Sequence, residues 1–419
     1  MGNFNPPPGT DDILPGAVSV WQHIEKIAAE TFSLYGYSEI RTPIFEYTEL
    51  FSKGIGEQTE VVQKEMYTFE DKGGRSLTLR PEGTAGIIRA LADISQQGGS
   101  PRVFYIGPMF RGERPAAGRK RQFHQIGVEN ISQPSPELDA ESVLMLMDFI
   151  KRIGITEARL KINTRGIPDD LPLAAEKLRT FLLPKQNLFC EECKKRFERN
   201  VWRILDCKNP SCAEALSDLS VELFFSEKSL SYLEKVLSIL SKEGLSFDRD
   251  SRLVRGLDYY VHTVFEVVHN GLGAQNSIAG GGRYQILLPN GKKHMCGVGF
   301  ACGQERLIMA MQSEKKDQLI RAPKIDVFLI AIGEQAKQMN FSLANELRRT
   351  GLKVIADFDD RSVKSAMRAA DKSGAKLLII RGENEIKNSS VIVKKMSDGS
   401  QSEIIDQDVS GQIKKILSQ

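Results

Sequence analysis

A stretch in the first third of the chain gathers side chains that could hold a charged substrate. Two segments of strand composition, Val103–Phe110 and Gln122–Asn130, flank a basic loop, a pattern that predicts a β-hairpin with a long tip. Because side chains alternate between the two faces of a strand, one face of the returning strand carries Arg121, Phe123, Gln125, Gly127 and Glu129. The outgoing strand ends at Arg111, and the tip adds Arg114, Arg119 and Lys120. Such a surface suits bidentate contacts to an anion beside a carboxylate for a cationic or amide-like group; the alternative is a solvated hairpin.

A second polar group follows another predicted strand. Ser76–Arg80 runs into Pro81, Glu82, Gly83 and Thr84 and then into an apolar helical segment. One interpretation is a plain helix start, in which Thr84 caps the helix and Glu82 complements its dipole. The other is that both side chains face a pocket and grip an ammonium group.

A third group lies around residue 258. Arg255–Tyr260 precedes a predicted strand on which alternation places Tyr260, His262, Val264 and Glu266 on one face. An arginine and two tyrosine hydroxyls converge there, unless the segment is only an aromatic strand edge with an ion-paired arginine. The later run Ala279–Tyr284 contains three glycines but matches neither glycine-rich phosphate-loop pattern.

Four cysteines could bind a metal. Cys190 and Cys193 are separated by two residues, and Cys207 and Cys212 by four. Paired cysteines in a reducing compartment suit a tetrahedral structural zinc site, and the alternative is four reduced, half-buried thiols. A catalytic zinc is disfavoured because four thiolates leave no open coordination position.

Composition limits the class of protein. The 419 residues allow two or three domains, and 41% hydrophobic with 26% charged residues is ordinary for a globular protein. A net charge of +3 means that any RNA contact must rest on local patches. There is no signal-peptide pattern and no run of about 18 apolar residues, so we expect a cytosolic protein with reduced cysteines.

The remaining elements divide the chain. Helical spacing of apolar residues predicts an amphipathic helix from Pro15 to Leu34. Residues 167–250 are charged, leucine-rich and helical in pattern, which indicates a helical domain inserted into a strand-rich domain of residues 1–320. After that, apolar runs alternate with helices over residues 321–419, and this order predicts a parallel or mixed sheet covered by helices. There, Arg361, Lys364 and Arg368 form either an RNA-facing helix side or a solvated one.

These segments together resemble the histidyl-tRNA synthetases, a family of class II aminoacyl-tRNA synthetases. FRGERPAAGRKRQFHQIGVE is similar to the second class II motif in its histidyl form, and RGLDYY followed by TVFE is similar to the histidine-specific motif. LRPEGT resembles the element that binds the amino end of the substrate, while YSEIRTPIFEYTELF and GVGFACGQERLIM resemble the first and third class II motifs. The last domain resembles an anticodon-binding domain.

The resemblance implies an α+β fold: a mainly antiparallel sheet with flanking helices, a helical insertion, and a C-terminal α/β domain. It also implies a cytoplasmic homodimer that joins L-histidine to tRNA(His). Histidine first reacts with ATP, accompanied by Mg²⁺, to give histidyl-adenylate and pyrophosphate. The histidyl group then passes to the terminal ribose of the tRNA.

Roles for individual residues follow from the same resemblance. Arg111 holds the α-phosphate, Arg255 supports it as charge develops, and Arg306 contacts the distal phosphates, so catalysis is positioning and charge stabilisation. The amino end of histidine is bound by Glu82, Thr84 and Gln125, the imidazole by Glu129 and Tyr260, and the site also includes Gly83, Arg111, Arg255 and Tyr259.

Two other functions fit parts of the pattern. A non-catalytic, synthetase-like regulatory or histidine-binding subunit would typically lack the last domain and some motifs, whereas this chain has Arg111, Arg255 and Arg306 and a complete last domain. A class II enzyme for another amino acid would have no reason to carry RGLDYY.

Overall fold

The structure is a computed structural model that describes residues 4–57, 59–96, 99–220, 223–288, 294–320, 324–359 and 361–418. The described residues up to Ile320 form one compact unit, and those after it form a second. Among the described residues, no helix combines the length and apolar composition that a membrane span needs.

In the first unit the strands are β1 (Ser38–Glu39), β2 (Phe45–Tyr47), β3 (Tyr67–Glu70), β4 (Ser76–Leu79), β5 (Arg102–Phe110), β6 (Gln122–Ile131), β7 (Ala158–Thr164), β8 (Asp248–Arg249), β9 (Tyr260–His269), β10 (Ser277–Leu287) and β11 (His294–Gly303). Its helices are α1 (Pro15–Leu34), α2 (Thr48–Ile55), α3 (Thr84–Gln96), α4 (Pro136–Arg152), α5 (Leu171–Leu182), α6 (Glu191–Arg199), α7 (Pro210–Ala215), α8 (Glu227–Lys242) and α9 (Gln304–Ser313).

The main sheet of this unit has the strand order β1-β5-β6-β11-β10-β9-β7-β8. Neighbouring strands are antiparallel except at the two edges, where β1 with β5 and β7 with β8 are parallel. The prediction of a mainly antiparallel sheet with helices is confirmed. Helices α1, α4, α8 and α9 cover one face, and the core between them contains Phe32, Phe149, Leu240, Phe265, Phe300 and Leu307. On the opposite face α3 packs Ile87, Ile88 and Leu91 against part of the sheet, and polar side chains occupy the area beside it.

One sequence prediction about this sheet is wrong. His262 does not share a face with Tyr260, because β9 bulges there: the register against β10 shifts between the pairs Val264–Gly282 and Val261–Arg283. His262 has a positive φ of 50°, and its ring packs against Tyr232 of α8 at 4.3 Å. Between these pairs β9 advances by three residues and β10 by one, so β9 contains two extra residues. Such a bulge interrupts the alternation of faces, and His262 lies on the helix-covered side.

The segment predicted as a helical insertion is helical. Its residues up to Phe225 enclose a separate small core that includes Leu178, Phe189, Ile204 and Phe225. Helix α8 instead contributes Leu233, Val236 and Leu240 to the core of the main sheet. The independently packed part of the insertion is therefore shorter than the helical pattern.

The second unit is a mixed sheet covered by helices. Its strands are β12 (Val327–Ala331), β13 (Val354–Asp357), β14 (Leu377–Arg381), β15 (Ser390–Lys395) and β16 (Gln401–Ile405), and its helices are α10 (Glu334–Arg349), α11 (Val363–Ser373), α12 (Glu383–Lys387) and α13 (Val409–Leu417). The order is β13-β12-β14-β15-β16, with parallel pairing among the first three strands and antiparallel pairing beyond them. Arg361 precedes α11 and pairs with Asp357 and Asp359, so it does not belong to a helix side with Lys364 and Arg368.

Candidate active site

A cleft lies on the face of the main sheet opposite to helices α1, α4, α8 and α9. It has a volume of about 650 Å³ and adjoins a small inner pocket of about 60 Å³. Both are lined by Arg111, Gln125, Arg255, Gly280 and Ala301. The outer cleft is in the size range of small-molecule sites, and its floor is β6, β11 and β10.

Glycines keep this floor open for larger side chains. A Cβ at Gly280 would overlap the guanidinium of Arg255, and one at Gly127 would overlap the ring of Tyr105. A Cβ at Gly83 would also overlap the ring of Tyr105, so Gly83 lets this tyrosine approach the start of α3. In these positions only glycine lets the arginine and the tyrosine lie flat on the backbone.

Three arginines face the cleft from three different elements. Arg111 follows β5, donates from Nε to the Pro81 carbonyl at 3.0 Å, and has its guanidinium 5.3 Å from the Phe123 ring centroid. Arg255 lies 3.9 Å from Glu266, and its buried Nε has no hydrogen-bond partner among the described protein atoms. Arg306, on α9, donates to the carbonyls of the hairpin tip and of β10. The three charges give the cleft a cationic wall suited to a polyphosphate.

Arg306 connects two parts of the cleft. Its Nε donates to the Gly118 carbonyl at 2.8 Å, and Nη1 donates to the Ser277 carbonyl at 2.7 Å. Burial and the nearby charge of Arg119 lower the pKa of Arg306. A guanidinium has five N–H groups, so N–H groups remain for an anion in the cleft.

Two carboxylates stand in the inner pocket. Glu82 accepts hydrogen bonds from the backbone N–H groups of Thr84 and Ala85, at 2.7 and 2.9 Å. The Thr84 hydroxyl donates to Glu129 at 2.7 Å. Glu82 is therefore the side chain that caps α3, and the interpretation that Thr84 caps the helix is wrong. Both residues also line the pocket, so the helix start and the pocket wall are the same structure.

Glu129 is buried, with only 2% of its surface exposed. Burial raises its pKa to about 8, and burial also raises the pKa of Glu82. The second carboxylate oxygen of Glu129 and the side-chain oxygen of Gln125 have no hydrogen-bond partner among the described protein atoms. Buried acceptors without partners are costly. The pocket is thus arranged for a ligand that brings N–H donors.

Four tyrosines complete the pocket wall, namely Tyr105, Tyr259, Tyr260 and Tyr284. The rings of Tyr259 and Tyr260 lie 4.8 Å apart, and those of Tyr259 and Tyr284 5.8 Å apart. Burial raises the pKa of all four hydroxyls, so each keeps its proton near pH 7.

Sequence reasoning missed Tyr105 and Tyr284. In the antiparallel sheet each is paired with a glycine on the neighbouring strand, Tyr105 with Gly127 and Tyr284 with Gly297. A tyrosine opposite a glycine could have identified both as pocket residues, but only if the pairing of the strands had been known.

The structure brings most of the predicted site residues together. Glu82, Thr84, Arg111, Gln125, Glu129, Arg255, Tyr259 and Tyr260 line the inner pocket, and Arg306 lines the outer cleft. Gly83 does not line either cavity but lies against the ring of Tyr105. Carboxylates and uncharged acceptors thus lie at the inner end and guanidinium groups at the outer end, an arrangement that would orient an amino acid and a nucleotide relative to each other.

The four predicted metal-binding cysteines also lie together. The sulfur atoms of Cys190, Cys193, Cys207 and Cys212 are all within 4.8 Å of one another. In a tetrahedral zinc–thiolate site with Zn–S bonds of about 2.3 Å, the sulfurs are about 3.8 Å apart. All four are free thiols in the structure, and Cys207 also lines the outer cleft.

Known proteins resemble this chain over nearly its whole length. Residues 9–307 match the family described as histidyl-tRNA synthetase, and residues 326–416 match the anticodon binding domain. The histidine–tRNA ligase of Halothermothrix orenii is 45% identical over 98% of this chain and 99% of its own, and that of Geobacillus sp. strain WCH70 is 43% identical over 99% and 100%. The apo histidyl-tRNA synthetase of S. aureus superposes with a TM-score of 0.79 at 35% identity, over 98% of this chain and 100% of that one. The chain therefore belongs to the histidyl-tRNA synthetase family.

Proposed function

We propose that the protein joins L-histidine to tRNA(His) through a histidyl-adenylate, releasing AMP and pyrophosphate. One observation carries this proposal: a buried pocket with unpaired acceptors opens directly into an arginine-lined cleft. The family to which the chain belongs supports the same activity.

Histidine occupies the inner pocket in this proposal. Its ammonium group lies near Glu82, Thr84 and Gln125, where two buried carbonyl-type acceptors and a hydroxyl converge. The imidazole reaches Glu129 and Tyr260, which can accept from one ring nitrogen and donate to the other. Buried polar groups waiting for a polar ring reject an apolar ring of the same shape far more strongly than an apolar pocket would.

ATP occupies the outer cleft. Arg111 and Arg255, which border both cavities, hold the α-phosphate next to the histidine carboxylate, and Arg306 binds the distal phosphates. The substrate carboxylate attacks the α-phosphate, pyrophosphate leaves, and no side chain of the protein forms a covalent bond. The rate enhancement comes from orienting the two reactants and from fixed positive charge around the phosphate.

Mg²⁺ enters with ATP. The cleft offers the carboxylates of Glu65, Glu113 and Glu266, and carboxylate oxygens are ligands that Mg²⁺ accepts. The ion neutralises phosphate charge when it is bound.

The two units have separate tasks in the proposal. Residues 1–320 form the catalytic domain with residues 167–250 inserted in it, and residues 321–419 bind the anticodon of tRNA(His). The match of residues 326–416 to the anticodon binding domain supports the second assignment, and Lys364 and Arg368 are candidates for contacts with the RNA backbone.

A homodimer is also part of the proposal, because the small sheet β2-β4-β3 has an exposed aromatic face. Leu79 on the central strand lies opposite Phe45 on one neighbour and Tyr67 on the other, and Leu77 likewise lies opposite Tyr47 and Phe69. All six side chains therefore lie on one face of the small sheet. The four aromatic residues are 37% to 55% exposed. A contiguous apolar patch of this kind indicates a protein interface, and a second copy of the chain is the partner we propose.

Light scattering after size exclusion tests the dimer. The protein should have twice its chain mass, and Phe69→Ser should shift it towards the monomer. Phe341→Ser, which changes another exposed phenylalanine in the other unit, is the control. A monomeric unmodified protein would contradict the dimer, and a dimeric Phe69→Ser variant would remove this face from the interface.

The four clustered cysteines bind a structural Zn²⁺ in a cytosolic location, where thiols stay reduced. Their separations fit a tetrahedral set of four thiolates, which gives stability and leaves no position for substrate. Metal analysis should find about one zinc per chain, and substitution with Co²⁺ should give tetrahedral absorption bands. A fully reduced protein that retains neither ion would contradict the assignment.

ATP–pyrophosphate exchange tests the main proposal, with one amino acid at a time and no tRNA. Exchange with histidine alone is the expected result. Exchange with a different amino acid would keep the reaction and overturn the pocket assignments. Histidine binding without exchange would support the non-catalytic, regulatory alternative.

A further inference from the structure

We infer that the cysteine knuckle, residues 190–212, is a wall of the active-site cleft, so that its metal sets the affinity of the protein for ATP. The inference rests on the proposed ATP and zinc sites and adds a connection between them. Six residues of the cleft lining come from this knuckle: Glu192, Arg196, Arg203, Asp206, Cys207 and Lys208. The metal site and the substrate site thus share a boundary.

The first connection runs through Glu60 on the opposite side of the cleft. Arg196 donates from Nη2 to Glu60 at 3.0 Å, and Arg203 lies 3.7 Å from the other oxygen of the same carboxylate. Arg196 also donates from Nη1 to the Arg203 carbonyl at 3.2 Å. One carboxylate therefore binds two arginines of the knuckle, one on α6 and one on the helical turn Val201–Ile204. Glu60 is followed directly by Val61 and, one helical turn later, by Glu65, and all three line the cleft.

The second connection runs to the segment that carries Arg255. Asn200 donates from Nδ2 to Asp258 at 3.3 Å, and a Cβ at Gly256 would lie 3.5 Å from the guanidinium of Arg203. Among the described protein atoms the Nε of Arg255 has no hydrogen-bond partner, and its guanidinium lies 3.9 Å from Glu266 and interacts with Tyr260. Its position therefore depends partly on the adjacent backbone, which the knuckle contacts at Gly256 and Asp258.

The cysteines are placed so that a metal would fix both connections. Cys190 precedes α6, Cys193 lies in its first turn, and Arg196 follows one turn later. Cys207 comes three residues after the short helical turn Val201–Ile204, which contains Arg203, and Cys212 lies in α7. One ion would cross-link three short helical pieces, whose core is separate from that of the main sheet.

The experiment compares ATP affinity with metal content in the full-length protein. Isothermal titration measures the ATP dissociation constant for the zinc-loaded, chelator-stripped and zinc-restored protein, and circular dichroism checks that each is folded. We expect stripping to weaken ATP binding roughly threefold to tenfold, the scale of losing one or two partly exposed charged contacts. Added zinc should restore the affinity.

The Arg196→Ala variant removes an ion pair with Glu60 without changing a cysteine, so it tests that connection separately from the metal site. This variant should still bind one zinc or cobalt ion, should bind ATP more weakly, and should respond little to stripping. Arg199→Ala, which changes an exposed arginine on the same helix, should behave like the unmodified protein.

Three results decide the inference. ATP affinity that is unchanged by stripping, in a protein that binds zinc, would overturn the inference and leave zinc as a local support. A protein that never binds zinc would overturn both the inference and the proposed zinc site. ATP affinity that follows zinc content, with no exchange for any amino acid, would support the inference and refute the proposed aminoacylation.

Discussion

Glu129 provides the most direct test of the pocket, because one of its carboxylate oxygens bonds to the protein and the other is available to the ligand. One carboxylate oxygen accepts from Thr84 at 2.7 Å, and the other is buried without a partner among the described protein atoms. Glu129→Gln keeps the size of the side chain but removes the carboxylate that accepts from the imidazole, and this carboxylate is charged above its pKa of about 8. Hydrogen bonds to charged groups contribute about 1.5–3 kcal/mol, so at about pH 9 the dissociation constant of histidine should rise roughly tenfold to 150-fold.

ATP should bind the variant as it binds the unmodified protein, because Glu129 lines the inner pocket and not the outer cleft. Isothermal titration with each ligand separately measures both constants. Glu243→Gln, an exposed carboxylate at the end of α8, controls for the change of net charge. Equal loss of histidine and ATP binding would refute the reasoning, and so would unchanged histidine binding.

Glu129→Ala extends the test. It removes the partner of the Thr84 hydroxyl as well, so histidine should bind more weakly than in the glutamine variant. The unmodified protein should reject a thiophene analogue of histidine, which lacks both ring nitrogens, by a factor of roughly 10⁴. In the alanine variant that discrimination should fall, and an undiminished ratio would place the imidazole elsewhere.

Three further predictions follow from contacts in the two units. Gly280→Ala should reduce histidine-dependent exchange at least about a hundredfold, because its Cβ overlaps the guanidinium of Arg255; histidine affinity and exchange rate measured together would show whether Arg255 has moved. The ligand-free protein should lose stability relative to the Glu129→Gln variant as pH rises from about 4.5 to 8. In the unfolded chain a glutamate ionises near the lower pH, whereas folded Glu129 keeps its proton until about pH 8. Denaturation midpoints of both proteins at about pH 5 and about pH 8 test this, and a difference in midpoint that does not change with pH would contradict it. Arg381→Met should destabilise the second unit by about 3–5 kcal/mol, because Arg381 is buried and makes two hydrogen bonds to Asp406. Calorimetry should show one unfolding transition at a lower temperature, and an unchanged transition temperature would contradict the prediction.

The sequence determined the site residues whose placement depends on local geometry. Period-two alternation put Gln125 and Glu129 on one face of β6, and both line the pocket. The strand-to-helix segment placed Glu82 and Thr84 at the start of α3, since a carboxylate there satisfies free backbone N–H groups. The clustering of the four cysteines could be predicted because their spacing in the sequence is itself a local pattern.

Only the tertiary structure decided the features that depend on contacts between distant segments. His262 left its predicted face because the register of β9 against β10 shifts, and a register shift is a property of two strands. Tyr105 and Tyr284 entered the pocket because each lies opposite a glycine that no single segment reveals. Arg196 became a cleft residue through Glu60, which is more than a hundred positions away in the sequence. Local geometry depends on neighbouring residues and can be deduced from their order, whereas strand pairing and domain contact depend on the packing free energy of the whole chain.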